Sequence, residues 1–337
     1  MKTIKQVVGI DVAQNELVCT FVQLYHDLSS SKYAHGVFKN SQVGFRELKK
    51  WINTIKSTDV PIQVVMEATG VYHEKLGHWL YGQSIHVAIV LPNKISNYAR
   101  SLTIKTITDK TASQAIAHFG LERTLEFWEP PKPIFRIMRQ LTRERDQIVA
   151  ERVVIKNQIH AETAEVYPNK NSLKRLKARM ILLSKQEQEI KNELHHLIKS
   201  DPKVEQDIAL ITTIPGVGQL TAAIVLAETN GFEHIRNKKQ LTSYAGLDVR
   251  EKQSGTSVRG KSKISKKGNR SLRKAMHLPA LSAIRHCNLY KNNFAKHVSK
   301  HGIKMKAAVA VQRKILELTF IIHKSRVPFD LDFEIKF

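Results

Sequence analysis

Three β-branched runs follow one another before any helical periodicity begins, and that order leaves the first part of the chain few ways to fold. Val7-Val8-Gly9-Ile10 and Leu17-Val18-Cys19-Thr20-Phe21-Val22 are separated by the turn-forming Gln14 and Asn15, and Tyr33 to Phe38 supplies a third run. This spacing predicts an antiparallel meander. Phe45, Leu48, Trp51, Ile52 and Ile55 then recur at helical intervals, followed by a strand at 62–66, a helix around 76–81 and a strand at 87–91.

Three strands, a helix, a strand, a helix and a strand is the order of an RNase H-like α/β sheet. The acidic stretch 122–129 and the breakers Pro130, Pro131 and Pro133 place a boundary near 125–133. Beyond it the pattern turns helical. Ile134, Leu141, Ile148 and Ile155 repeat every seven residues, with Glu144 among the interleaved positions, so they make half a seam. After Tyr167-Pro168-Asn169, the residues Leu173, Leu176, Met180, Leu183, Ile190, Leu194 and Leu197 alternate by three and four. Two long antiparallel helices are expected, either a hairpin complete in itself or an arm extended by a second copy, since so few heptads fit both. The predicted organisation is an α/β domain over 1–125, a helical coiled-coil segment over 126–200 and a mostly helical domain over 201–337.

Charge separates these segments. The chain carries 54 Lys and Arg against 30 Asp and Glu, a net +24, with +3 over residues 1–130, +7 over 131–200 and +14 over 201–337. A polyanion is the expected partner, nucleic acid first. Between Arg250 and Lys274 stand Arg250, Lys252, Arg259, Lys261, Lys263, Lys266, Lys267, Arg270, Arg273 and Lys274 against the single acid Glu251. Upstream, Ile214-Pro215-Gly216-Val217-Gly218 precedes the helical run Leu220–Leu226. Gly216 and Gly218 would open backbone N–H groups to a phosphate, as in a helix-hairpin-helix element. No apolar run reaches the roughly 18 residues of a membrane span, and Met1–Lys5 leads straight into a strand pattern, so a cytoplasmic, nucleoid-associated protein with no membrane partner is expected. Cys19 and Cys287 read as two reduced thiols. His73, His78, His195 and His196 read as surface or packing residues rather than ligands.

Two acids interrupt apolar strands, Asp11 after Gly9-Ile10 and Glu67 after Val64-Val65-Met66, and a third, Asp109, opens a helix over 109–119. One acid alone would read as a strand end facing water. Three hard oxygen donors from separate segments suit Mg²⁺ or Mn²⁺, whose chemistry on nucleic acids is phosphodiester cleavage or transfer.

Gly9-Ile10-Asp11-Val12, Met66-Glu67-Ala68-Thr69-Gly70 and Thr108-Asp109-Lys110-Thr111-Ala112-Ser113 resemble the DEDD motifs of the RuvC-like domain in the "one-ten" insertion-sequence transposases, the family that includes the Piv DNA invertases. Ile214-Pro215-Gly216-Val217-Gly218, Tyr244-Ala245-Gly246-Leu247, Gln253-Ser254-Gly255 and Ile264-Ser265-Lys266-Lys267-Gly268-Asn269-Arg270 with Leu272-Arg273 resemble that family's second, transposase domain in content and order. The resemblance implies a recombinase. Its carboxylates, here Asp11, Glu67 and Asp109, hold divalent metal, and a serine, here Ser254, attacks the DNA phosphate. Arg250, Lys252 and Arg259 would clamp phosphates around it. Ser265 is the runner-up nucleophile, although at the head of a basic helix it reads better as an N-cap, while Ser257 and Ser262 stay open as alternatives.

The resemblance further implies a structured noncoding guide RNA, donor and target DNA, and self-assembly to a dimer or, in synapsis, a tetramer. One position departs from it. The pattern expects an acid three residues after Asp109, where this chain has Ala112. That is the mark either of a naturally defective copy or of an engineered Asp→Ala change, the second favoured because the rest of the motif is intact. Two competing readings are a Holliday-junction-type nuclease that uses water, and a noncatalytic nucleic-acid-binding protein.

Overall fold

The computed structural model describes residues 2–58, 60–68, 70–102, 106, 108–251, 253–254, 258–260 and 262–330. The chain divides into two compact units, Met1–Pro130 and Pro131–Phe337.

The first unit runs β1 (Thr3–Val12), β2 (Glu16–Tyr25), β3 (Ser30–Lys39), α1 (Gln42–Ile55), β4 (Ile62–Glu67), α2 (His73–Gly82), β5 (His86–Val90), α3 (Pro92–Ser101) and α4 (Asp109–Glu122). The sheet order is β3-β2-β1-β4-β5. β1, β2 and β3 are an antiparallel meander, and β4 and β5 join it parallel to β1. This is the expected RNase H-like topology. β1 lies at the centre and is covered on both sides, which is why Val7-Val8-Gly9-Ile10 reads as a continuous apolar run. Val8 and Ile10 pack with Phe45, Leu48, Leu76 and Leu80 of α1 and α2, while Val7 packs with Ile116, Ala117 and Phe119 of α4 and Tyr98 of α3. α3 escaped the sequence reading because only Ile95 and Tyr98 of its ten residues are buried, too few to make a stripe.

The second unit opens with the helical hairpin α5 (Pro133–Ala164) and α6 (Lys170–Lys199), followed by α7 (Pro202–Thr212), α8 (Gln219–Thr229) and α9 (Lys238–Tyr244). Four two-residue strands come next, β6 (Val249–Arg250), β7 (Gln253–Ser254), β8 (Val258–Arg259) and β9 (Lys263–Ile264), then α10 (Arg270–Ala275), α11 (His277–His286), α12 (Asn288–His301) and α13 (Lys304–Ser325). β6 pairs with β9, and β7 with β8. The hairpin seam uses Leu141, Ile148 and Ile155 against Leu183, Ile190, Leu194 and Ile198. What looked like half a seam is completed by ions: buried Glu187 of α6 meets Arg145 Nη2 and Lys191 Nζ at 3.0 Å each and also binds Arg152. Both cysteines are buried and free. Among the described residues, no helix is long and apolar enough to cross a membrane.

Candidate active site and nucleic-acid interface

β1 and β4 run parallel with Ile10 opposite Met66, so the next residues, Asp11 and Glu67, leave adjacent strands side by side. Both are half-buried. Burial raises the Asp11 carboxyl above its ordinary value, and the Asp109 charge raises it further, against a hydrogen bond from the Val12 backbone that lowers it. Burial likewise raises Glu67, followed by the charge of Asp11. The three acids therefore feel one another in the order Glu67, Asp11, Asp109. Among the described residues, however, no three His, Cys, Asp or Glu side chains form a finished metal-binding group. The set suits a divalent cation by chemistry, since like-charged oxygen donors that are costly to hold together are stabilised by a hard ion between them.

α4 brings Asp109 to this end of the sheet, and the local sequence explains how. Thr108 caps the helix: its hydroxyl accepts from Thr111 N, and Thr111 Oγ1 accepts from Thr108 N at 2.8 Å. Along its length α4 approaches the sheet backbone. A Cβ on Gly9 would stand 2.2 Å from Ala117 N, and one on Gly120 would stand 2.7 Å from a Val65 methyl. Ser113 Oγ bonds Thr20 Oγ1 of β2 at 2.7 Å. At the far end Lys5 Nζ donates to the carbonyls of Gly120, Leu121 and Arg123 at 2.6, 3.0 and 2.8 Å, and its burial lowers its pKa. Ala112 lies three residues beyond Asp109, half-buried, offering a methyl where a fourth oxygen donor was expected.

Sequence reasoning missed the groups that hold this arrangement. Asn40 Nδ2 donates to Ala13 O at 2.9 Å and Tyr72 O at 3.2 Å, tying together the segments that follow Asp11 and Glu67. Nothing in its local sequence marks Asn40. Gly9 did carry a signal, because a glycine inside a strand pattern signifies close backbone approach.

In the second unit, Gly216 and Gly218 sit in the turn between α7 and α8. Gly216 has a positive φ of 85°, and a Cβ there would stand 2.4 Å from Pro279 O of α11. Gly218 precedes α8, with nothing within 4 Å of its Cβ position and no side-chain cap over the helix. The Tyr244–Leu247 and Ser265–Arg270 motifs interlock: Asn269 N donates to Tyr244 O at 2.7 Å, Lys266 N to Gly246 O at 3.1 Å, and Arg273 Nη1 to Ala245 O at 2.7 Å. Gly268 is required at the crossing, since a Cβ would stand 2.4 Å from Tyr244 O. Beneath lies Glu228, 3% exposed, which accepts two bonds from Arg143, at 2.8 and 2.9 Å, and one from Asn269 at 2.7 Å.

One expectation is corrected. Ser265 does not cap the basic helix; Asn269 caps α10 through its side chain, while the Ser265 hydroxyl donates to Asp248 in the loop before it. A loop of four residues intervenes, and its turn is set by contacts with Tyr244 and Gly246 that have no local signature. Ser254 lies in β7 opposite Val258, and Arg259 in β8 opposite Gln253. Arg250 stands directly across from Lys263, a like-charge pair that disfavours the ribbon unless an anion lies over it. Lys266, Lys267 and Arg270 are exposed, and Arg273 is half-buried. Lys252, Gly255, Ser257 and Lys261 lie outside the described residues, as does Thr69 of the Glu67 motif.

Comparison with known proteins agrees with the order of these motifs. Residues 8–168 match the DEDD transposase family of IS110 type, and residues 208–296 match the "Transposase IS116/IS110/IS902 family". The pilin gene-inverting protein of Moraxella bovis is 30% identical over 97% of this chain and 98% of its own length. The transposase for insertion sequence element IS1111A of Coxiella burnetii is 25% identical over 70% of each chain. Thermus thermophilus RuvC superposes with a TM-score of 0.29 at 14% identity, over 36% of this chain and 99% of RuvC. The chain belongs to the IS116/IS110/IS902 family of transposases.

Proposed function

We propose that the protein is an RNA-guided DNA recombinase in which Asp11, Glu67 and Asp109 serve a divalent metal and Ser254 is the nucleophile. The observation that carries this reading is the register that sets Asp11 and Glu67 side by side on parallel strands, with Asp109 close enough to shift the Asp11 carboxyl. Mg²⁺ or Mn²⁺ held by these carboxylates supplies Lewis-acid stabilisation of the attacked phosphate. Ser254 forms an oxygen–phosphorus bond as the bond from phosphorus to the deoxyribose oxygen breaks; the serine proton is lost and the leaving oxygen gains one. Functionally the chain is read in three parts, a carboxylate domain over 1–125, a helical segment over 126–200 and a serine-bearing domain over 201–337. A site that takes the first part from one copy and the third from another would require at least a dimer, and joining donor to target DNA through paired dimers suits a tetramer.

Gly216, Gly218, Arg250, Lys252, Arg259, Lys261, Lys263, Lys266, Lys267, Arg270 and Arg273 contribute the nucleic-acid grip. A noncoding guide RNA leaves sequence choice to base pairing and asks the protein to hold backbone and shape. Ala112 removes one oxygen donor and impairs catalysis. Three experiments test the reading. Ala112→Asp is expected to restore strand exchange with the correct nucleic acids and Mg²⁺, and no gain of activity would count against it. In that background, Ser254→Ala is expected to abolish a covalent protein–DNA adduct; cleavage that persists without an adduct would move the assignment to a water-using nuclease. A single discrete RNA copurifying with the protein is the expected sign of guidance, whereas random cellular RNA would leave only electrostatics.

A further inference from the structure

The second unit contains a concave cavity of about 1370 Å³ formed by the β6–β9 ribbon, α10 and the facing sides of α12 and α13. Nine Lys and Arg side chains line it against one acid, Glu317. That acid is already engaged: Arg313 Nε donates to it at 3.0 Å, and Thr242 Oγ1 at 3.2 Å. Besides Arg313, Arg273 is engaged by Ala245 O and Lys274 by Asp146. The cavity still has a large surplus of positive charge, and burial lowers the pKa of the Lys314 ammonium within it. Between the charges the wall is apolar, with Val249 and Met305 exposed and Ile264 and Val309 partly so.

Charge and apolar surface together narrow the occupant. A free phosphate or small anion would satisfy the cations but leave the apolar wall unused, and the volume exceeds the usual range of about 300–1,000 Å³ for a small-ligand site. A duplex presents phosphates outward and keeps its base faces stacked inside, so its bases cannot reach such a wall. An unpaired strand offers both surfaces at once, phosphates to the cations and exposed base faces to the apolar side chains.

We infer that this cavity seats an unpaired segment of nucleic acid, with bases against Val249, Ile264, Met305 and Val309 and backbone against Lys263, Arg270, Lys306 and Lys314. The inference rests on the reading of the second unit as nucleic-acid-binding and adds that this cavity selects single strands.

The test measures binding of the full-length chain to a fluorescent oligothymidylate and to a duplex of equal length at one fixed salt concentration. Ala310→Trp fills the cavity from α13 without changing charge, and Val309→Asn makes its wall polar with little change in volume. Each is expected to weaken oligothymidylate binding about tenfold, the scale of one lost base contact, with duplex binding unchanged and the circular dichroism of the native fold retained. Lys306→Glu is expected to lower the salt dependence of single-strand binding. Equal loss on both probes, or no loss on either, would overturn the inference, as would displacement of oligothymidylate by polyglutamate at matched charge. The two readings fail separately: if the serine assignment is incorrect, no adduct depends on Ser254 while the strand selectivity and its loss in the cavity variants remain, whereas if the cavity assignment is incorrect, the cavity variants leave selectivity unchanged while the Ser254-dependent adduct remains.

Discussion

Gly9 and Ala117 touch backbone to backbone: a Cβ on Gly9 would lie 2.2 Å from Ala117 N and 2.7 Å from its Cα. This contact lets α4 lie directly on the central strand two residues before Asp11, and so sets the height at which Asp109 faces the sheet. Gly9→Ala is therefore expected to displace α4 and lower stability by about 1–3 kcal/mol, the usual scale of overpacking. Urea unfolding monitored by circular dichroism checks this, and an unshifted midpoint would mean that α4 yields freely.

Asn40 bridges Ala13 O and Tyr72 O, the backbone just beyond the two strand-end acids. Asn40→Ala is expected to cost about 1 kcal/mol of stability. In the Ala112→Asp background it is expected to slow strand cleavage about tenfold or more, because small misplacements of reacting groups are expensive in rate. Single-turnover cleavage at saturating metal is the measurement, and an unchanged rate would reduce Asn40 to a local tie.

Glu187 gives the hairpin a pH dependence. Burial acts to raise its carboxyl, but the hydrogen bond from Lys191 and the charges of Arg145, Lys191 and Arg152 outweigh this and hold it below its ordinary 4.5. A depressed carboxyl contributes stability that is present above the unfolded value and lost as pH falls through the lower folded value. Wild type is thus expected to be more stable than Glu187→Gln by about 1–3 kcal/mol at neutral pH, with the difference shrinking below pH 4.5. A difference that stayed constant with pH would show that the charge itself contributes nothing.

Glu228 joins α5, α8 and the start of α10 through Arg143 and Asn269. Glu228→Gln keeps the shape and removes the charge, and is expected to cost about 1–3 kcal/mol. Arg143 is half-exposed and can return to water, so the loss should not exceed this. The loop over 265–269 is expected to gain amide hydrogen exchange in the variant. Unaltered protection there would break the proposed link between the buried acid and the basic loop.

The carboxylates at the strand ends were legible because acids that interrupt β-branched runs stand out against their neighbours, and the two glycine-bearing C-terminal motifs because turns have local chemistry. Asn269 as the cap of α10 was not legible: Ser265 has the same local preference, and the choice between them is made by Tyr244 O and Gly246 O, some twenty residues upstream. Glu187 carries no local mark of its role, since Lys191 one turn on is an ordinary helical neighbour and only the fold brings Arg145 and Arg152 of the facing helix to it.

The sequence by itself determined the order of the five sheet strands with α1 and α2, the helical hairpin and the concentration of positive charge toward the C-terminus, because hydrophobic periodicity, turn residues and charge density are local properties of the chain. Tertiary structure alone decided that Asp11 and Glu67 stand abreast, that Lys5 closes the far end of α4 and that Glu228 anchors the basic loop. Each of these joins residues more than forty positions apart, and such a pairing is fixed only when packing brings together side chains with no periodic relation in sequence.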